Sequence, residues 1–240
     1  MAGLAGKKAV VVGGGTGIGQ AIAQALAAAG ADVAIGGRRP EPLSETAQGT
    51  SIQTHTIDVA CRDSTNTFFQ WAAKQLGHID FMINAAGMNI KLRSMAEMAP
   101  EDWDKVMSVN ATGAYNCMQA VLPEMRARRS GTIINVSSIA GKRAIALGGI
   151  AYAASKFAMT ALGTCVSNEV AADGVRVTNL YPGEVNTPLL EQRPVPVDEA
   201  HKQRILQPEQ VADLVLAVLA LPPAAHVPEI VIKPLSQGWY

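Results

Sequence analysis

Short runs of β-branched and other apolar residues alternate along this chain with longer runs rich in alanine and leucine. The short runs predict seven strands near Ala9–Val12, Val33–Gly36, Ile52–Ile57, Phe81–Asn84, Thr132–Val136, Val175–Leu180 and Glu229–Ile232. Apolar throughout rather than alternating, they read as strands buried on both faces of a sheet. The longer runs predict helices beginning at Gly17, Arg62, near Glu101, at Ala151 and at Pro208, the last a proline where a helix start costs it nothing. Strand and helix in turn are the pattern of βαβ units, so the expected fold is an α/β, Rossmann-like, doubly wound parallel sheet of seven strands with helices on both faces. Connections are short except for residues 182–207, a proline-rich segment expected to act as a substrate lid. No repeat or composition break marks a second unit, so residues 1–240 are expected to form a single domain.

Composition narrows the function classes. Twenty basic and twenty acidic side chains give zero formal charge, which argues against duplex nucleic acid or an anionic membrane as a wholesale partner. The longest apolar stretches, such as Leu214–Leu221, are too short to span a bilayer, and the N-terminal segment lacks a signal-length apolar region. Cys61, Cys117 and Cys165 stand far apart with no histidine pairing, so neither a disulfide framework nor a metal site is expected. The expectation is a soluble, unprocessed, cytoplasmic protein.

VVGGGTGIG follows the first strand and opens an alanine-rich helix. A turn there needs positive φ and a backbone bare enough for a pyrophosphate to reach the N–H groups of the helix. The spacing of Gly13, Gly17 and Gly19 is G-x-x-x-G-x-G; no register fits G-x-G-x-x-G, so the commonest dinucleotide fingerprint is absent. Phosphate binding is favoured over a turn made only for packing. The second strand ends in GGRRP, where an acidic residue would hold a ribose 2′-hydroxyl. Gly37 takes that slot and Arg38 and Arg39 follow, which suits a 2′-phosphate and therefore NADPH over NADH; the plainer alternative is two solvated loop arginines.

Tyr152 and Lys156 lie four apart in YAASK, on one face of a helix. An ammonium beside a phenol favours the phenolate, and a tyrosine so tuned can exchange a proton with an alkoxide or carbonyl oxygen. Alone, the pair is a weak signal. NVSSIAG places Ser137 and Ser138 at the carboxyl end of the fifth strand, where open α/β sheets bind ligands; a serine there holds a substrate oxygen or simply caps a turn.

Taken together, these motifs make residues 7 to 190 resemble the short-chain dehydrogenase/reductase family in its compact, NADP-preferring form. The glycine turn, Asp58-Val59, NAAG at Asn84–Gly87, VNATG around Asn110, VSS, YAASK and PGEVNT from Pro182 occur in the order that family has them. The resemblance implies that Ser138 orients a carbonyl, Tyr152 is the proton donor, Lys156 binds the nicotinamide ribose, and Asn110 holds a water in a proton relay. It implies NADP(H) as cofactor, with Gly13, Gly15, Thr16, Gly17, Ile18 and Gly19 at the pyrophosphate and Asp58 and Val59 at the adenine. Asn84, Ala85, Ala86 and Gly87 would line the cleft, and Pro182, Gly183, Val185 and Thr187 would meet the nicotinamide half. Arg38 matches the basic position of the NADP-preferring members. A homodimer or homotetramer is implied, through the helices carrying Asn110 and Tyr152.

Four departures stand out. Val12 replaces a common threonine, Ala85 replaces the second asparagine of NNAG, the Ser138–Tyr152 gap is one residue longer than in many members, and the chain ends in EIVIKPLSQGWY without a glycine-rich segment. The expected activity is an NADPH-dependent carbonyl reductase or alcohol dehydrogenase acting on a small molecule. A 3-oxoacyl-thioester reductase is the alternative, suggested by the family and by Arg126, Arg128 and Arg129 at a helix end, and a non-catalytic NADPH sensor is the rival from another class. Ala144, Ile145, Leu147, Leu189 and Leu190 suggest an apolar pocket, while Lys91, Arg93, Lys142 and Arg143 flank its expected mouth. His55, His78, His201 and His226 show no carboxylate partner in the sequence and are given no role.

Overall fold

A computed structural model describes residues 4–238, so the first three residues and Trp239–Tyr240 of the expected 1–240 domain lie outside the described residues. The strands are β1 (Lys8–Val12), β2 (Asp32–Gly37), β3 (Gln53–Thr56), β4 (Phe81–Asn84), β5 (Gly131–Val136), β6 (Val175–Pro182) and β7 (Glu229–Ile232). They form one parallel sheet in the order β3-β2-β1-β4-β5-β6-β7. The direction of winding reverses between β1 and β4, which opens a crevice at their carboxyl ends.

Side chains of successive strand residues go to opposite faces, and both faces are covered. Val11, Ile35, Ile83 and Ile134 pack against α1 (Gly17–Ala28) and α8 (Pro208–Leu219) through Ile22, Leu26, Val215 and Leu219. Val10, Val12, Met82 and Ile133 meet Phe68, Phe69 and Leu76 of α3 (Arg62–Leu76) and Met118, Val121 and Met125 of α5 (Gly113–Arg128). The central strands thus have the two buried faces their apolar runs predict. β3 and β7 do not: both are half-buried to exposed, because each sits at an edge where no helix covers it fully.

Three local features depart from the expected layout. Residues 40–47 form α2 (Pro40–Ala47), which is not among the predicted helices; Pro40 lies in the first turn, whose N–H would have no helical partner anyway. The helix expected near Glu101 is two, α4 (Pro100–Met107) and α5, joined without a break by a π-helical turn, Ser108–Thr112. The 182–207 segment is not structureless, since it contains a 3₁₀ turn at Pro188–Gln192, the short α7 (Glu199–Lys202) and a parallel bridge from Val185 to Leu206.

Buried asparagines cross the sheet in register. Asn84, Asn135 and Asn179 pair on adjacent strands, each 1% exposed or less. Asn179 Nδ2 donates to the Thr160 carbonyl (3.2 Å) and Thr164 Oγ1 (3.3 Å) of α6 (Ile150–Val170), tying that helix to β6. Gly163 makes the contact geometrically possible: a Cβ there would lie 2.1 Å from Asn179 Oδ1 and 2.9 Å from Asn135 Nδ2. Gly163→Ala is therefore expected to cost about 1–3 kcal/mol, read as a lower urea midpoint at unchanged slope; an unchanged midpoint would show that α6 shifts freely.

Candidate functional site

The turn between β1 and α1 is shaped by missing Cβ atoms. Gly13 has φ +81°, and a Cβ there would lie 2.6 Å from the Ala86 nitrogen; one on Gly19 would lie 2.1 Å from the Gly13 carbonyl oxygen. The loop after β4, the glycine turn and α1 are thereby pressed together. Thr16 is the N-cap of α1, yet its side chain caps nothing, and the first turn carries no acidic residue. The helix N-terminus is left with unclaimed N–H groups and an unopposed dipole, which suits a phosphate.

Arg38, Arg39, Asp58 and Val59 line the crevice beside Gly13, Gly15 and Thr16, with Pro42 and Leu43 of α2 completing the wall. Both arginines are exposed, and neither has a hydrogen-bonded or ion-paired partner among the described residues. They are thus available to an anion. The Asp58 carboxylate accepts from the Ala60 N–H at 3.0 Å, while Val59 is buried against Gly113. Ala85, Ala86 and Gly87 line the crevice further in, but Asn84 lies beneath its floor, with neither end of its side-chain amide hydrogen-bonded.

The crevice continues past Gly17, Ile18 and Gly19 to Ser137, Tyr152, Lys156 and Thr187. Lys156 is 3% exposed, donates to the Val136 carbonyl at 2.9 Å and lies 5.7 Å from the centre of the Tyr152 ring. Burial pulls its ammonium down to about 7. Burial also raises Tyr152, opposed by a hydrogen bond from the Ser138 hydroxyl, which favours the phenolate, and by the positive charge of Arg93. Ser138 Oγ also accepts from the Ala140 N–H at 3.1 Å and caps the turn Ile139–Gly141.

Asn110 sits on the π-helical turn and is fully buried. Its Nδ2 donates to the Met88 carbonyl (2.9 Å) and Ser155 Oγ (3.0 Å), and its Oδ1 accepts from the Met88 N–H (2.8 Å). Ser155 in turn donates to the Tyr152 carbonyl at 2.8 Å. Both N–H donors of the Asn110 amide are spent on joining the loop after β4 to α6, so its side chain acts first as a brace.

Beyond Tyr152 the crevice opens into a pocket lined by Ser138, Pro182, Gly183, Val185, Thr187 and the apolar Ile145, Leu147, Leu189 and Leu190. Ala144 is not among its walls. The sequence pattern does not single out Asn89, Glu184, Arg193 or Gln237, which also line it, and it leaves Arg93 at the mouth rather than in the wall. Nor does it show the ionic links of the 182–207 segment: Glu184 meets Arg193 Nη2 at 2.8 Å and His201 Nε2 at 2.5 Å. These partners hold the Glu184 carboxyl below its usual range despite burial. His201 thus has a carboxylate partner, as does His78 in Asp80 at 3.3 Å, contrary to expectation. Among the described residues no cluster could hold a metal ion and no helix is long and apolar enough to cross a membrane.

Comparison with known proteins agrees with this geometry. The sequence profile of the short chain dehydrogenase family matches residues 7–196. An uncharacterised oxidoreductase of Staphylococcus epidermidis is 32% identical over 231 residues, covering 95% of this chain and 97% of its own. The alcohol dehydrogenase of the archaeon Thermococcus sibiricus, solved with 5-hydroxy-NADP, superimposes with a TM-score of 0.87 at 28% identity over 98% of this chain and 99% of its own. A serine dehydrogenase in its closed form with NADP+ gives a TM-score of 0.88 at 27% identity over 96% of each chain.

The depressed Lys156 pKa has a measurable consequence. An unfolded lysine titrates near ~10.4, so between about pH 7 and that value the unfolded chain binds a proton the folded chain has shed, and stability rises with pH. Lys156→Met removes this dependence. In urea unfolding of dinucleotide-free protein, the variant's stability advantage should be largest near about pH 7 and shrink by up to about 1.4 kcal/mol per pH unit above it. An advantage that does not vary with pH would show that Lys156 titrates normally.

Proposed function

This chain belongs to the short-chain dehydrogenase/reductase family, and from that premise we propose that it is an NADPH-dependent carbonyl reductase, reversible as an alcohol dehydrogenase. One observation carries the reading: a single crevice has two unpartnered arginines at one end and Ser138, Tyr152 and Lys156 at the other. Solved relatives with NADP-type cofactors support the choice of dinucleotide.

The residues divide the work by position. The N–H groups at the start of α1 and the bare turn at Gly13 receive the pyrophosphate, and Arg38 and Arg39 receive the 2′-phosphate. When bound, the cofactor supplies the hydride. Ser138 positions the carbonyl oxygen by hydrogen bonding, and Tyr152 gives it a proton as negative charge develops there. Burial keeps that proton on the phenol before transfer, while Ser138 and Arg93 ease its departure. Lys156 meets the ribose and, with Asn110 bracing α6 through Ser155, fixes where the phenol stands.

We propose further that the protein is a cytoplasmic homodimer or homotetramer joined through α5 and α6, where the exposed Tyr115 and Phe157 support such a contact. A carrier-protein thioester is the alternative substrate, and of its basic helix end only Arg129 is left without a carboxylate partner among the described residues. Arg126 is engaged with Glu169 and Asp173, Arg128 with Asp80 and Glu124, and Arg129 with the Ala172 carbonyl.

Two measurements test the proposal. NADPH oxidation followed across a carbonyl panel should show turnover that Tyr152→Phe lowers about 10²- to 10⁴-fold, with NADPH still bound; a fully active variant refutes the role of the phenol. Arg38→Ala should raise the KM for NADPH by about 10- to 150-fold, the worth of a charge-assisted hydrogen bond, and change that for NADH far less. Equal effects on the two dinucleotides would remove Arg38 from 2′-phosphate recognition.

A further inference from the structure

Two guanidiniums line the pocket beyond Tyr152, and they are not equivalent. Arg193 is neutralised by Glu184, at 2.8 Å, with both side chains only 15% exposed. Arg93 has no carboxylate partner among the described residues. Its Nε donates to the Ile90 carbonyl (2.9 Å), one Nη to the Leu147 carbonyl (2.8 Å) and the other to the Gln192 carbonyl. A guanidinium has five N–H donors and stays charged at any ordinary pH. Three are used on acceptors that carry no net charge, and two remain.

The side chain is held stiffly. Gly149 has φ +80°, and a Cβ there would lie 2.6 to 2.9 Å from Cβ, Cγ and Cδ of Arg93, so the chain is bare where the arginine stem passes. The three carbonyls come from three separate segments: the loop after β4, the loop before α6 and the lid. Such a residue could be only a clasp for those segments. A clasp needs donors, however, and has no use for an unpaired charge, which is costly in a partly buried wall. Burial and the like charge of Arg193 both act against the Arg93 cation. An anion in the pocket would offset that cost, and fixed donors bind it with little loss of side-chain freedom.

We propose that Arg93 is the anion-recognising residue of the substrate pocket, and that the substrate is a small oxo acid or hydroxy acid whose carboxylate lies within a few bonds of the reacting carbon. The carboxylate takes the two remaining N–H donors of Arg93, and the rest of the molecule rests on Ile145, Leu147, Leu189 and Leu190. This substrate class rests on the reductase reading above.

The test compares 2-oxobutanoate, 3-oxobutanoate and 4-oxopentanoate, each with its methyl ester, as substrates of the wild type with NADPH. At least one acid should exceed its ester in kcat/KM by about 10- to 150-fold, and Arg93→Gln should collapse that ratio, with Arg93→Lys recovering part of it. Esters reduced as well as their acids by the wild type would overturn the proposal. So would an Arg93→Gln variant that slows acid and ester equally, the mark of a clasp alone. Calorimetry of the enzyme–NADP+ complex with butanoate and butanamide asks the same question without turnover. Butanoate bound in preference to butanamide, with the preference lost in Arg93→Gln, supports the anion site even if no carbonyl is reduced, and in that case it is the reductase reading that fails. No preference for butanoate overturns the anion site independently of the chemistry.

Discussion

A parallel sheet covered by helices on both faces leaves only the loops at its two ends free to meet a ligand, and the strand order decides which of those loops diverge. Here the chain winds outward from β1 in one direction and from β4 in the other, so the turn after β1 and the loop after β4 part above the sheet. What the strands bring to the crevice stands at their carboxyl ends: Gly13 after β1, Arg38 after β2, Asp58 after β3, Gly87 after β4, Ser138 after β5 and Gly183 after β6. The crevice follows from this arrangement. Close contacts at Gly13 and Gly19 then draw its floor and the α1 N-terminus together, so that the uncapped N–H groups of α1 and the side chains of Ser137, Tyr152 and Lys156 share one channel.

Polar groups buried beneath that channel act as its frame. Asn110 links the loop after β4 to α6, Lys156 links α6 to the end of β5, and Asn179 links α6 to β6. All three links involve the helix that carries Tyr152, so the position of the phenol is braced from three sides. The π-helical turn fits this role. A local change of helical pitch re-aims Asn110 without ending the helix that continues into α5. The electrostatics are less simple than a tyrosine tuned by one lysine: both groups are pushed toward neutrality by burial, and the positive influence on Tyr152 comes from Arg93 in the pocket wall.

How much of this could be read from the sequence depends on the range of the contact. The glycine turn, the Tyr152–Lys156 pair and the serines at the end of β5 were legible because their chemistry is set by neighbours a few residues away. So were the seven strands, the inner five because burial on two faces leaves an apolar run. α2 was not legible, because only Leu43 and Thr46 of its eight residues are buried, too few to show a helical apolar period. The Glu184–Arg193–His201 cluster was not legible, because it joins residues 9 and 17 positions apart across a chain reversal that no local pattern announces. Arg93 is the extreme case. Its acceptors lie 3, 54 and 99 residues away, so its orientation emerges only when three loops meet.

That long-range anchoring also changes how the 182–207 segment, the proposed lid, is held. A proline-rich loop of this length would ordinarily be mobile, but its 3₁₀ turn is held by Arg93 through Gln192, and its flank by Glu184, which grips Arg193 and His201 from the base of the segment. The Val185–Leu206 bridge closes the ends of the excursion on each other. Charged side chains at the pocket wall therefore serve as anchors as well as walls: Glu184 answers Arg193 and fastens the lid, while Arg93 fastens it from the other side through carbonyls alone. Because those carbonyls bring no negative charge, the lid can be held in place without neutralising the pocket. The enclosure and the positive field inside it then come from the same residue.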